Sequence, residues 1–154
     1  EHFFSHPEAY KATFMKYVKH TYLYIACHYW DPKAPVFFSK KDIQSPDFKI
    51  SVIADISCDI NGPIPTTLRA SSIEEPFYDI DRNSFIEKQA FSSFKNITVM
   101  AVDNLPCELP RDSSVGFGND LLEKVLPHLL QKGEEEIIAH ASIRMNGKLT
   151  SLFS

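Results

Sequence analysis

The chain has 154 residues, of which 44% are hydrophobic and 23% are charged, as in an ordinary globular domain. Its formal net charge of −4 gives no basic footprint for a nucleic acid. No apolar run approaches the roughly 18 residues of a membrane span. We therefore expect a protein that binds neither nucleic acid nor membrane and, because no signal peptide pattern is present, that is cytoplasmic.

The cysteines, Cys27, Cys58 and Cys107, are odd in number and far apart. This spacing argues against a disulfide framework and against a zinc site, so we expect reduced thiols and no metal. The chain begins at Glu1 rather than Met, which suggests a processed product or a fragment.

The first half of the chain predicts a helix followed by two strands. A helix over residues 5–20 is indicated by a capping box at Ser5 and by apolar residues at helical spacing. The apolar run at residues 22–27 predicts a strand buried on both faces, as in a parallel sheet. A second such run follows at residues 50–56, and a short helix is expected at Ser39–Gln44.

The second half predicts one more buried strand and a long helix. The strand occupies residues 97–102, after a candidate short strand at Phe77–Ile80. The helix is expected to be capped by Ser113 or Ser114, kinked or ended at Pro127, and terminated by Gly133. Its apolar face comprises Leu121, Leu122, Val125, Leu126, Leu129 and Leu130. Residues 137–153 form a short amphipathic tail with a turn at Asn146-Gly147, which we expect to dock elsewhere.

Buried strands joined by crossovers are typical of an α/β fold. Three parallel strands leave a sheet edge and both faces to be covered, so we expect a partial domain. The alternative is a complete small α/β domain in which residues 134–154 cover the edge.

Ligands of an open α/β sheet bind beyond the carboxyl ends of its strands, and polar or aromatic residues follow all three runs here. Asp55 and Asp59 are either paired carboxylates or, for Asp55, a cap for local backbone N–H groups. His28 is either a proton shuttle or part of a packed aromatic loop, and the loop is the preferred interpretation. Cys58 lacks a basic neighbour that would lower its pKa, so a buried thiol is preferred over a nucleophile.

Asp103-Asn104, followed by Leu105-Pro106, is the strongest candidate for contact with a flat ligand. The alternative is that these residues only end the strand. The chain has no GxGxxG, Walker-type, GxSxG or HExxH motif, and we find no complete catalytic set in it.

Several segments resemble the saccharopine dehydrogenase and alanine dehydrogenase–transhydrogenase family. They occur in the family's order and spacing between about residues 20 and 150. The segments are residues 26–30 with Lys33-Ala34-Pro35, residues 53–59 with 61–65, residues 102–106 with 109–112, and residues 147–150. The resemblance implies a Rossmann-like three-layer αβα fold containing the later parallel strands of a doubly wound sheet. Residues 1–133 would be the second half of an NAD(P)-binding domain, and residues 134–154 a segment returning towards an absent N-terminal substrate domain.

The resemblance also implies roles for residues at the strand ends. Cofactor-binding positions would be Tyr29, Ile56, Val102, Asp103, Asn104 and Leu105. Substrate-binding positions would be Ser57, Cys58 and Asp59. The family's glycine-rich loop and its catalytic lysine and histidine have no counterpart here, so no catalytic residue is assigned.

The function implied is the C-terminal part of an NAD- or NADP-dependent amino-acid dehydrogenase of lysine metabolism, acting by hydride transfer and oxidative deamination. This chain alone would be inactive, and its exposed half-sheet would self-associate. The alternative is a non-enzymatic nucleotide-binding or regulatory module that retains the late Rossmann strands. The position that distinguishes NAD from NADP lies outside this sequence.

Overall fold

The computed structural model describes residues 2–130 and 135–154. The chain divides into two compact units, the first ending at Leu105 and the second beginning at Pro106. The predicted domain boundary after residue 133 falls outside the described residues and stays a prediction.

A five-stranded mixed sheet forms the centre of the first unit. Its strands are β1 (Leu23–Ala26), β2 (Val52–Asp55), β3 (Phe77–Ile80), β4 (Glu87–Lys88) and β5 (Ile97–Met100), in the spatial order β1-β2-β5-β3-β4. Strands β1, β2 and β5 are parallel, whereas β3 runs antiparallel to both β5 and β4. The three predicted strands and the Rossmann-like α/β class are thus confirmed, with an antiparallel extension at one edge.

One face of this sheet carries the core. Tyr24, Ile53, Val99 and Tyr78 occupy successive paired positions across β1, β2, β5 and β3. Of these residues, Ile53, Val99 and Tyr78 are almost completely buried. Leu23 and Ile25, which point to the other face, are 55% and 54% exposed. The expectation that the first strand is buried on both faces is therefore wrong, because the described residues leave the second face of β1 largely uncovered.

The predicted helix over residues 5–20 is also wrong. Two short helices, α1 (His2–Ser5) and α2 (Met15–Val18), lie on either side of a 3-10 turn at Pro7–Ala9. Ser5 belongs to α1 and caps nothing, while the extended backbone of Tyr10 ends the 3-10 turn. Pro7 has no backbone N–H, so a helix cannot continue through it with a full set of hydrogen bonds.

The short helix predicted near Ser39 is confirmed as α3 (Lys40–Ile43). Ser39 and Asp42 form a complete capping box, in which each side chain accepts a hydrogen bond from the other's backbone N–H. The Ser39 hydroxyl also donates to the Asp42 carboxylate at 2.6 Å, and this bond, together with the one from the Ser39 N–H, holds the pKa of that carboxyl below its ordinary value.

The second unit begins with a helical segment that changes type along its length. Helix α4 (Pro110–Asp120) leads into a π-helical turn at Leu121–Val125 and then α5 (Leu126–Leu130). The prediction of a cap at Ser113 or Ser114 is wrong. The helix begins earlier, at Pro110, because proline suits the first helical position. The predicted disturbance near Pro127 coincides with this change, since the N–H of Leu126 donates to the carbonyl of Leu121, five residues back.

The end of the chain forms a helix and a hairpin. Helix α6 (Glu135–Ala141) precedes β6 (Arg144–Met145) and β7 (Lys148–Leu149), which pair antiparallel. The turn between them confirms the one predicted, because Asn146 and Gly147 both adopt positive φ, at 53° and 79°. The predicted helix stop at Gly133 lies outside the described residues.

Candidate cofactor-binding edge

The parallel strands β1, β2 and β5 end at one edge of the sheet, and the loop after β2 is bonded to the ends of both neighbouring strands. The N–H of Ile56 donates to the carbonyl of Ala26 at 3.0 Å, which joins this loop to the last residue of β1. The Cys58 thiol donates to the carbonyl of Ala101 at 3.1 Å, which joins the second loop to the third. The structure thus brings all three predicted site segments to a common edge.

Asp55 anchors the loop after β2. Its carboxylate is completely buried and accepts hydrogen bonds from the Ser57 and Thr67 hydroxyls, each at 2.6 Å, and from the N–H of Cys58 at 3.3 Å. Asp59 takes no part in this network and is exposed. Between the two interpretations of Asp55, the structure supports the local cap rather than a carboxylate pair.

Cys58 is held in an unusual backbone conformation, with φ of 50°, by its hydrogen bonds to Asp55 and Ala101. Burial raises the pKa of its thiol, and the nearby Asp103, Asp55 and Asp59 carboxylates raise it further. A thiol in this state is a poor nucleophile, in agreement with the preference for a structural cysteine.

Alkylation provides a test of this assignment. At pH 8 we expect Cys58 to react with iodoacetamide at least tenfold more slowly than Cys27 and Cys107, because it is partly buried with a raised pKa while the other two are exposed. Peptide mass spectrometry over a time course gives the three rates from one sample. Labelling of Cys58 as fast as Cys27 would contradict the assignment.

Two adjoining recesses lie between the first and second loops. One, of about 410 Å³, is lined by Cys27, His28, Tyr29, Trp30, Ile56, Ser57 and Asp59. The other, of about 400 Å³, is lined by Trp30, Pro32, Cys58, Asp59, Ile60, Asn61 and Gly62. Trp30 and Asp59 separate the two, and Tyr29 is 89% exposed at the mouth of the first.

The turn at Asp59–Gly62 shapes the second recess. The N–H of Gly62 donates to the carbonyl of Asp59 at 2.9 Å, and Asn61 has φ of 58°. A Cβ on Gly62 would lie 2.5 Å from the Cβ of Asp59, so only glycine fits this position without a backbone shift.

The third loop begins buried and then emerges at the edge. Val102 is 3% exposed and forms a parallel bridge with Ser71, whose hydroxyl accepts a hydrogen bond from the N–H of Ala101. Asp103 and Asn104 are exposed. Of the four residues predicted in this loop, Val102 is therefore a buried support, whereas Asp103 and Asn104 are accessible to a ligand.

Supporting residues at this edge were missed by sequence reasoning. Thr67 and Ser71 come from the irregular stretch between β2 and β3, where no periodicity marks them, and they act through partners 12 and 30 residues away. His28 packs its ring against Phe37 at 4.6 Å, as the preferred interpretation of a packed loop predicts. Its Nε2 atom is buried and has no hydrogen-bond partner among the described residues.

The edge has features that suit a dinucleotide cofactor. An exposed tyrosine and a tryptophan beside a recess of about 410 Å³ offer ring surfaces to a planar group, and the buried nitrogen of His28 is an unused polar atom in the same wall. Backbone of the three loops would hold such a group at the strand ends, where α/β folds bind nucleotides.

The described part of the chain has neither a metal-binding cluster nor a helix that could span a membrane. Within residues 2–130 and 135–154, no group of three or more His, Cys, Asp or Glu side chains is placed to hold a metal ion. None of the helices described is long and apolar enough to cross a membrane.

The sequence of the chain matches a known family over nearly its whole length. Residues 2–151 match the model of the alanine dehydrogenase/PNT, C-terminal domain family. The chain belongs to this family. The match covers almost the whole sequence, and the mixed sheet with three parallel strands agrees with a partial Rossmann-like domain.

Relatives in this oxidoreductase family are much longer proteins. The chain is 32% identical to an alpha-aminoadipic semialdehyde synthase of Arabidopsis thaliana over 98% of its length, and 28% identical to a mitochondrial one of Rattus norvegicus over 81%. It is 29% identical over 68% of its length to a saccharopine dehydrogenase [NAD(+), L-lysine-forming] of Neurospora crassa. The chain spans only 15%, 16% and 27% of these relatives, respectively.

Proposed function

We propose that this chain is the later half of the cofactor domain of an NAD(P)-dependent amino-acid dehydrogenase of the saccharopine type. The observation that carries the proposal is the strand-end edge, where the loop after β2 is bonded to the ends of both neighbouring parallel strands beside an aromatic recess. Membership of the family and similarity to an L-lysine-forming saccharopine dehydrogenase support it. When bound, a nicotinamide supplies the acceptor for a hydride from the substrate carbon beside nitrogen.

The exposed and buried residues of the edge have different proposed roles. Tyr29 and Ile56 would contact the cofactor rings from the first two loops, and Asn104 and Leu105 would contact them from the third. Val102, which is buried, would hold the third loop in position. Asp103 would lie beside the nicotinamide.

The substrate would lie on the side of the recess lined by the loop after β2. Ser57, Cys58 and Asp59 occupy this loop, and only Asp59 is exposed with a charge free for a cationic group of the substrate. Ser57 and Cys58 already donate to Asp55 and Ala101, so they would act by shape and orientation.

No proton-transfer residue is proposed within this chain. The acid and base of the reaction would come from an N-terminal substrate domain, and the remaining half of the cofactor site from the first half of the cofactor domain, neither of which is part of this chain. Relatives several times longer than the chain support that partner. The chain alone is then expected to have no turnover. A cytoplasmic location stays a prediction.

Self-association of the isolated chain is a further part of the proposal. Leu23 and Ile25 are more than half exposed on one face of the sheet, and parallel sheets in α/β proteins are normally covered on both faces. We expect light scattering of the purified 154-residue chain to give a mass at least twice that of the monomer. Replacing both residues by threonine should restore the monomer, and a clean wild-type monomer at high concentration would contradict the expectation.

The enzymatic part of the proposal is tested with the full-length protein. Saccharopine is offered with NAD⁺ or NADP⁺, and formation of the reduced cofactor and of L-lysine is followed. The proposal expects turnover with one cofactor, and the Asp59→Asn variant should raise KM for saccharopine about tenfold with little change in kcat. Binding of NAD(H) without turnover of saccharopine or other amino acids would instead favour the non-enzymatic nucleotide-binding module.

A further inference from the structure

A separate cavity of about 620 Å³ lies beside the antiparallel extension of the sheet. Residues from the start of β3, from β4 and from the segment after β4 line it, together with Arg69. Its volume is within the range typical of small-molecule sites. None of the residues proposed above to contact cofactor or substrate lines this cavity.

An aromatic corner forms one wall of the cavity. The rings of Phe77 and Phe91 lie 5.4 Å apart, and Phe91 is 72% exposed. Phe91 also has φ of 60°, a left-handed conformation that is uncommon and unfavourable for a bulky residue. Such strained residues concentrate at ligand sites, where the surrounding structure holds them in place.

A buried carboxylate maintains this strained conformation. Asp79 is completely buried and accepts hydrogen bonds from the backbone N–H groups of Phe91 and Ser92, both at 3.0 Å. The Phe91 ring is thereby fixed in an exposed position beside Phe77 instead of folding into the core. The corner is therefore preorganised to receive an apolar group.

The polar wall of the cavity carries charges of both signs. Arg69 and Glu87 form a bidentate ion pair, with a shortest contact of 2.8 Å, and the guanidinium lies 4.6 Å from the centre of the Tyr78 ring. The charges of Arg69 and Glu87 therefore cancel each other. Glu75 and Lys88 also line the cavity, and within the described part of the chain neither forms an ion pair shorter than 4.0 Å. The charge of Glu75 acts on Arg69, and that of Lys88 on Asp81, only at longer range, so both groups are available to pair with a ligand.

We propose that this cavity binds a free α-amino acid with an apolar or aromatic side chain. Its ammonium group would pair with Glu75, its carboxylate with Lys88, and its side chain would pack in the Phe77–Phe91 corner. A zwitterion with an apolar end matches all three features of the cavity together. The site would be separate from the strand-end edge.

Calorimetric titration of the full-length protein with three probes tests the proposal. L-Phenylalanine is expected to bind with a dissociation constant of about 1 mM, as its size allows. 3-Phenylpropionate, which lacks the ammonium, and phenethylamine, which lacks the carboxylate, should each bind about tenfold more weakly. Equal affinity for all three probes, or no heat with any of them, would overturn the proposal.

Variants locate the binding on the protein. Phe91→Ala, Glu75→Gln and Lys88→Gln should each weaken L-phenylalanine binding about tenfold. Phe94→Ala is the matched control, because Phe94 is fully exposed and lies outside the cavity, and it should bind as wild type. Retained binding in Phe91→Ala would place the amino acid elsewhere, for example at the proposed substrate site, and would overturn the inference while leaving the proposed dehydrogenase function intact.

Discussion

Replacing Asp79 by alanine is expected to lower the free energy of unfolding of the sheet domain by about 3–5 kcal/mol. The carboxylate is completely buried and accepts five hydrogen bonds. They come from the N–H groups of Phe91 and Ser92, the hydroxyls of Ser92 and Thr98, and the side-chain amide of Asn96. Alanine would leave buried donors without an acceptor, and it would free the segment that connects β4 to β5. Urea denaturation followed by circular dichroism measures the change.

The same carboxylate gives a prediction for pH. Burial alone raises the pKa of Asp79, but the hydrogen bonds from Thr98, Phe91, Asn96 and Ser92 outweigh it and hold the pKa below the ordinary value of 3.8. A group with a lowered folded-state pKa stabilises the protein above its unfolded pKa, and this stabilisation is lost as the pH falls through the folded value. The stability difference between wild type and Asp79→Asn should therefore be largest near neutral pH and shrink below about pH 4.

Asp81 provides a matched control in the same hairpin. Its carboxylate also accepts hydrogen bonds from backbone N–H groups, those of Asn83 and Ser84, but it lies at the surface, where water can replace it. Asp81→Ala should therefore cost less stability than Asp79→Ala. Equal losses for the two variants would mean that burial of the Asp79 network contributes nothing.

The second large effect is expected for Asp55→Ala. This substitution removes the acceptor of two 2.6 Å hydrogen bonds, from Ser57 and Thr67, in a fully buried position. We expect a loss of about 2–4 kcal/mol in the free energy of unfolding. Because the loop after β2 lines both recesses, we also expect affinity of the full-length protein for NADH or NADPH to fall at least tenfold.

The Asp59→Ala variant distinguishes anchoring of the loop after β2, assigned to Asp55, from contact with a ligand, proposed for Asp59. Asp59 is exposed and forms no part of the Asp55 network, so its removal should change stability by less than about 0.5 kcal/mol. Denaturation and fluorescence titration of the reduced cofactor are measured on both variants. If Asp55→Ala keeps wild-type stability and affinity, the anchoring role of this carboxylate is wrong.

The central strands were predictable because their signal is local. Runs rich in β-branched residues mark β2 and β5, and buried parallel strands need such runs along their whole length. The direction of β3 and the existence of β4 were not predictable, since β4 has only two residues, both charged. The first helix was overpredicted because the spacing of Phe14, Tyr17 and Val18 reflects only α2, and a capping pattern at Ser5 cannot show that the backbone becomes extended at Tyr10.

The position of the site was predictable from the sequence, but the residues that hold its loops in place were not. Parallel strands bring their carboxyl ends to one edge, so residues after β1, β2 and β5 had to lie near one another. The partners of Asp55 and Asp79 depend on contacts between distant parts of the chain, such as Thr67 with Asp55 and Thr98 with Asp79. No pattern in a single sequence encodes those pairings, and the same holds for the cavity beside Phe91.

The proposal that the strand-end edge binds the cofactor can be tested by comparing two asparagine variants. Binding of the reduced cofactor is measured on the full-length protein. Asn104 is exposed after β5 at the proposed cofactor edge, whereas Asn83 is exposed in the β3–β4 turn, at the opposite end of the sheet. We expect wild type to bind NADH or NADPH, Asn104→Ala to bind the same dinucleotide about tenfold more weakly, and Asn83→Ala to bind it as wild type does. If neither dinucleotide binds, or if both variants bind as wild type, the strand-end edge is not the cofactor site.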